Sequence, residues 1–220
     1  MTPSNARILL ADDHEVVRRG LRVLLETRPG WEICGEAGDG RAAVELAQTL
    51  APDIVIMDIG LPQLNGFDAT RQILERSRAV EVLVLSIHDS AQLVREVVEA
   101  GARGYVLKSD AGRDLVAAVE AVLRREVFFS PRVESSVQGA ALKVSGLRRR
   151  SLRPSGSLTR REREILQLLA EGRTNKAVAK LLGISVKTAE THRARIMRKL
   201  GLKSLADLVR YAIRNGFIEP

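Results

Sequence analysis

Cysteine is nearly absent: Cys34 is the only one in 220 residues. A lone thiol excludes an internal disulfide and a thiolate metal cage, and Cys34 reads as a small apolar residue in a strand. No apolar stretch approaches the ~18 residues a membrane helix needs. The opening "MTPSNARILLADD" lacks the charged, then apolar, then small-residue order of a secretory leader. The expectation is a cytoplasmic chain with no membrane contact. There is no internal repeat, and no convincing strand in the second half.

Charge is present in quantity but unevenly placed. Residues 1–129 hold 15 Lys+Arg and 20 Asp+Glu, a net of −5, whereas residues 130–220 hold 20 and 7, a net of +13. An acidic half joined to a strongly basic half suggests that only the second meets a polyanion.

The first half alternates between two periods. "ARILLAD", "WEICGEA", "DIVIMD", "EVLVLSI" and "GYVLK" read as strands, and each is followed by a segment with helical apolar spacing. Five such units in a row predict a doubly wound, five-stranded parallel sheet covered on both faces. In such folds the site lies at the carboxyl ends of the strands, near a switch in strand order. There the sequence places Asp12 and Asp13 after the first strand, Asp58 after the third, Ser86 after the fourth and Lys108 after the fifth. Any one of them alone reads equally well as a helix cap or a solvated loop residue. Three carboxylates in one pocket repel one another unless a cation joins them, and hard oxygen ligands favour Mg²⁺. With the cation and Lys108 in place, Asp58 could attack phosphorus and form an aspartyl-phosphate. Ser86 could donate its hydroxyl to a phosphate oxygen.

The segments "ILLADDH", "IVIMDIGLPQLNGFD", "VLVLSIHD" and "GYVLKSD" stand in the order and spacing of a family. Residues 1–129 resemble the receiver domain of two-component response regulators, a flavodoxin-like fold. The resemblance implies that Asp58 is the phosphoacceptor, charged by a sensor histidine kinase. It implies Mg²⁺ (or Mn²⁺) on Asp12, Asp13, Asp58 and the backbone carbonyl of Gly60. It pairs Lys108 with the phosphate and makes Ser86 and Tyr105 the switch pair, the aromatic ring turning inward as the hydroxyl moves to the phosphate. Apart from the resemblance, Tyr105 reads as a surface strand aromatic. Gly60 departs from the larger residues common at that place, leaving His88 as the nearby side chain that could orient water.

Residues 130–156, with "RRRSLRPSGS", read as a linker. Residues 157–220 carry four helical patterns and predict a small all-α domain. Thr159 and Glu162 form a capping box. A short helix from Asn175, a stop at Gly183 and a longer helix capped by Ser185 make a helix-turn-helix pattern. Ala189, Ile196 and Leu200 form the inward seam of the longer helix, with His192 at its edge. A basic helix of this kind suits the DNA major groove, although most basic helices are only solvated faces.

The run "LTRREREILQLLAEGRTNKAVAKLLGISVKTAETHRARIMRKLGLKSLADLVRYAI" is similar to the LuxR-type DNA-binding domain. Together the two halves resemble a response regulator of the NarL/FixJ type. Double-stranded DNA, a histidine kinase and a homodimer on DNA through the last helix are the partners implied. Phosphate contacts are expected from Thr174, Asn175, Lys176, Ser185, Lys187, Thr188, His192 and Arg195, and base contacts from Glu190, Thr191 and Ala194. Such a chain is not an enzyme beyond catalysing its own phosphorylation and dephosphorylation. One rival is a metal-dependent phosphotransferase, but Gly60 stands where its second acid should be. Another is a constitutive DNA-binding regulator whose receiver is not phosphorylated in use.

Overall fold

The structure is a computed structural model and describes residues 5–138 and 158–218. It comprises two compact units.

In the first unit, β1 (Ala6–Ala11), α1 (Glu15–Glu26), β2 (Trp31–Ala37), α2 (Gly40–Leu50), β3 (Ile54–Asp58), α3 (Gly66–Arg76), β4 (Glu81–Ser86), α4 (Ala91–Ala100) and β5 (Gly104–Leu107) alternate as expected. A single 3₁₀ turn (Lys108–Asp110) and α5 (Ala111–Leu123) follow. The sheet is parallel, with order β2-β1-β3-β4-β5-β6, where β6 is Phe128–Phe129. This is the flavodoxin-like, doubly wound arrangement, and its order reverses between β1 and β3.

Strand composition follows from burial on both faces. Ile54 and Ile56 pack with Ile8, Leu10, Leu25, Leu115 and Val119 on the side of α1 and α5. Val55 and Met57 pack with Leu9, Ala43, Phe67, Ile73 and Val94 on the side of α2, α3 and α4. The four-residue apolar run before Asp58 thus feeds two cores at once.

Two features add to the sequence expectation. The sheet has six strands rather than five, because Phe128 and Phe129 pair with Gly104 and Tyr105. Two residues are too few to show a strand period. The chain then turns at Ser130, whose N–H donates to the Tyr105 carbonyl at 3.0 Å. Pro131, pre-set for a first helical position, opens α6 (Pro131–Gln138). This helix falls in the stretch expected to be linker. Its anchor is Val133, fully buried in the core cluster that also contains Tyr105. Residues 139–156 of the expected linker lie outside the described residues.

The second unit contains α7 (Arg160–Ala170), α8 (Asn175–Leu182), α9 (Val186–Leu200) and α10 (Leu205–Arg214). The expected capping box is present: the Thr159 hydroxyl accepts from the Glu162 N–H at 3.2 Å, and the Glu162 carboxylate accepts from the Thr159 N–H at 2.8 Å. Gly183 ends α8 at φ 62°, in the left-handed region that glycine enters without strain. Ile165, Leu168, Val178, Ala189, Ile196, Leu208 and Ala212 form the core. Among the described residues, no helix is long and apolar enough to cross a membrane.

Candidate functional site

Register brings the acidic and basic residues together. Ala11 pairs with Met57, so the next residues, Asp12 and Asp58, leave adjacent strands side by side. Asp58 pairs with Leu85, one residue before Ser86, and Ser86 pairs with Leu107, one residue before Lys108. Lys108 opens the 3₁₀ turn, and its Nζ lies 2.8 Å from Asp12 Oδ2 and 2.8 Å from Asp58 Oδ2. Asp12 and Asp58 are buried. Burial alone would lower the Lys108 pKa; attraction to Asp58 and Asp12 outweighs it and holds the pKa above the ordinary lysine value. Lys108 therefore stays cationic at neutral pH.

The loop after β3 is shaped by close backbone approach. The Gly66 N–H donates to the Ile59 carbonyl at 2.9 Å. A Cβ at Gly66 would stand 2.1 Å from the Asp58 carbonyl oxygen. Gly60 lies in this loop, two residues beyond Asp58, and leaves the rim there without a side chain.

Ser86 is buried and its Oγ accepts from the His88 N–H at 3.1 Å. The Tyr105 hydroxyl donates to the His88 carbonyl at 2.5 Å. Tyr105 is fully buried, its ring inward, so it is not the surface aromatic that the strand pattern alone suggests. Burial pushes its pKa up to about 12, against the pull of a hydrogen bond with Ser86, so the phenol remains a donor at neutral pH. Ser86, His88 and Tyr105 thus form one hydrogen-bonded set beside the acidic pocket.

The expected basic constellation divides into four parts. Lys187, Glu190, Thr191, Ala194 and Arg195 line one open groove along α9, joined by Arg198 one turn further on. Arg198 carries no contact in the sequence assignment, although its spacing, three residues past Arg195, places it on the same face. Thr174 and Ser185 are spent first as helix caps: their hydroxyls accept from the Ala177 and Thr188 N–H groups at 3.2 and 3.0 Å. Lys176 is exposed in the first turn of α8, and Thr188 in that of α9. Asn175 and His192 are half-buried, and Asn175 Oδ1 and His192 Nδ1 are both enclosed without a hydrogen-bond partner. His192 sits at the seam's edge, off the groove.

Two family descriptions match this chain. The response regulator receiver domain matches residues 8–120, and the luxR family of bacterial regulatory proteins matches residues 156–212. The transcriptional regulatory protein LiaR of Bacillus subtilis is 39% identical over 212 residues, covering 96% of this chain and 99% of its own. The chain belongs to the NarL/FixJ-type response regulators. The transcriptional regulatory protein MctR of Rhizobium johnstonii is 37% identical over 96% of this chain and 95% of its own. Among solved structures, RcsB of Salmonella enterica serovar Typhimurium, bound to promoter rprA in the presence of BeF₃⁻, superposes with TM-score 0.62 at 26% identity, covering 94% of this chain and 98% of that one. This response regulator is therefore a transcription factor with a receiver domain and a LuxR-type DNA-binding domain.

In the response regulator's pocket, one oxygen each from Asp12, Asp13 and Asp58 and one nitrogen of His14 lie within 4.8 Å of one another. Asp12 Oδ2 is buried and, despite its closeness to Lys108, has no aligned hydrogen bond. A cluster of hard oxygens with such an atom fits a divalent cation. His14 is the member that sequence reasoning missed; its place directly after Asp13 was the available signal.

Proposed function

We propose that this regulator is switched by a phosphoryl group on Asp58. The observation that carries the proposal is Lys108 Nζ at 2.8 Å from both Asp12 and Asp58, at the carboxyl edge of the sheet. An Asp58 carboxylate oxygen forms a bond to phosphorus as the bond from phosphorus to the kinase histidine nitrogen breaks, and the imidazole leaves. Asp12, Asp13, Asp58 and the Gly60 carbonyl would hold Mg²⁺ or Mn²⁺, which supplies positive charge to the transferring oxygens. Lys108, beside Asp12 and Asp58, offsets further charge. The Ser86 hydroxyl exchanges its present acceptor role toward His88 for donation to the new phosphoryl group. Because Ser86 and Tyr105 share the His88 backbone, that exchange biases the β4–α4 loop and the Tyr105 ring.

The biased surface controls access of the LuxR-type domain to double-stranded DNA. Lys187, Glu190, Thr191, Ala194, Arg195 and Arg198 face the major groove. Glu190, Thr191 and Ala194 read base edges. Thr174, Asn175, Lys176, Ser185, Lys187, Thr188, His192 and Arg195 contact phosphates through side chains, amides and helix N-termini. Two protomers read two half-sites, joined through α10, where Leu205 is 45% exposed and lies on the same apolar face as the buried Leu208 and Ala212. The setting is the cytoplasm, where the DNA and the kinase's transmitter are reached together.

The test is acetyl-phosphate labelling. The parent chain should incorporate one phosphoryl group in the presence of Mg²⁺, and Asp58→Asn should incorporate none. Full labelling of Asp58→Asn would overturn the acceptor assignment.

A further inference from the structure

His14 is left unused by the phosphoryl chemistry above. It is the N-cap residue of α1, with extended backbone, yet its ring makes no capping hydrogen bond. Its N–H donates to Asp12 Oδ1 at 2.8 Å, which fixes the main chain over the pocket. Its Nδ1 lies 2.7 Å from Asp13 Oδ1 and 3.4 Å from Asp12 Oδ1. The same four residues supply ligand atoms within 4.8 Å of one another. The imidazole is 57% exposed, so an ion reaches it directly from solvent.

We infer that His14 is a metal ligand of this pocket, and that it gives the acidic cluster a second coordination mode, for a nitrogen-accepting divalent ion such as Zn²⁺. The inference rests on the reading of the pocket as a divalent-cation site. Two carboxylates, one imidazole and one position left for water make a donor set suited to Zn²⁺. Mg²⁺ prefers oxygen alone and retains several waters, so it gains little from an imidazole. The 2.7 Å approach of His14 Nδ1 to Asp13 Oδ1 places both donor atoms within reach of one ion. Asp13 and Asp58 serve both modes, so the two ions exclude each other. A nitrogen-accepting ion therefore competes with the ion that the phosphoryl transfer uses.

Calorimetric titration of the full chain with Mg²⁺ and, separately, Zn²⁺ tests this. His14→Ala should weaken Zn²⁺ binding on the order of tenfold or more, while Mg²⁺ affinity stays within about twofold. Retained Mg²⁺ binding also shows that the variant pocket is folded. Asp13→Asn should weaken both ions. The parent-minus-variant difference removes any contribution of His88 and His192. Equal Zn²⁺ affinity in parent and His14→Ala overturns the inference and leaves His14 only a close neighbour of Asp13. Equal loss of both ions in His14→Ala overturns it too, because His14 would then shape the pocket rather than select the ion. If the parent binds neither ion more tightly than Asp13→Asn does, the cation-site reading itself falls.

Discussion

Replacing Gly66 with alanine should damage the acceptor strand, whereas the same change at Gly20 should help the fold. The new Cβ at Gly66 would stand 2.1 Å from the Asp58 carbonyl oxygen and 2.9 Å from its carbon, where ordinary contact begins at 3.4 Å. A gap of about 1.3 Å must therefore open against main chain, which yields less easily than a side-chain tip. Overpacking of this kind costs roughly 1–3 kcal/mol, and a backbone neighbour places the cost near the upper end. The displaced atoms belong to the residue that would carry the phosphoryl group, and a misplacement of about 1 Å typically costs on the order of a hundredfold in rate. Gly20 lies in the interior of α1, exposed, with nothing within 4 Å of a Cβ. Alanine there should stabilise by roughly 0.5–1 kcal/mol. Urea unfolding followed by Trp31 fluorescence measures the first terms, because the only tryptophan lies in β2; acetyl-phosphate labelling measures the second. The reasoning is refuted if Gly66→Ala matches the parent in both midpoint and labelling rate, or if both alanine variants shift the midpoint in the same direction.

Other outcomes follow from the same geometry. Val133→Ala removes two buried carbons from the contact of α6 with the rest of the first unit and should cost about 1.5–2.5 kcal/mol by urea midpoint; no change would mean that α6 is not docked in solution. Glu162, buried, is held below the usual glutamate pKa because Lys199 and the Thr159 cap outweigh the upward push of its burial. A depressed carboxyl pKa stabilises the fold above the unfolded-state value and loses that contribution as pH falls through the folded value. Glu162→Gln should thus cost roughly 1–2 kcal/mol at neutral pH, and the deficit should shrink on acidification below the ordinary glutamate range, read by thermal melts of the second unit. Lys187→Ala and Arg195→Ala should each reduce the salt slope of DNA binding by about one; an unchanged slope in both would take the groove of α9 off the DNA.

The central strands β1, β3, β4 and β5 are largely apolar because the sheet is covered on both faces, and β2, an edge strand that carries Glu32 and Glu36, was read from its place in the alternation, so these five were legible. Asp12, Asp58, Ser86 and Lys108 converge because parallel register is fixed once both faces are buried. What sequence hid was set by tertiary contact. Phe128 and Phe129 form a strand only because β5 offers an edge, and among the described side chains of α6 it is Val133 that is buried in the core. The burial of Tyr105 depends on the same cluster, which no local pattern around "GYVLK" reveals. His14 was concealed by its neighbours: after two aspartates it reads as helix entry, and only the turn of its ring toward Asp13 brings a nitrogen to the pocket. Arg198 shares the groove face but lies beyond Arg195, the last residue expected to contact DNA.

The central claim is that phosphorylation at Asp58 governs DNA binding. Genomic fragments selected by the purified full chain, with and without acetyl phosphate, test it most directly when Asp58→Asn is run beside the parent. The account predicts that acetyl phosphate strengthens and sharpens selection of a defined set of sites by the parent and leaves Asp58→Asn unchanged. Identical selection by the parent with and without acetyl phosphate, or an equal response from Asp58→Asn, would contradict it and leave a constitutive DNA-binding regulator.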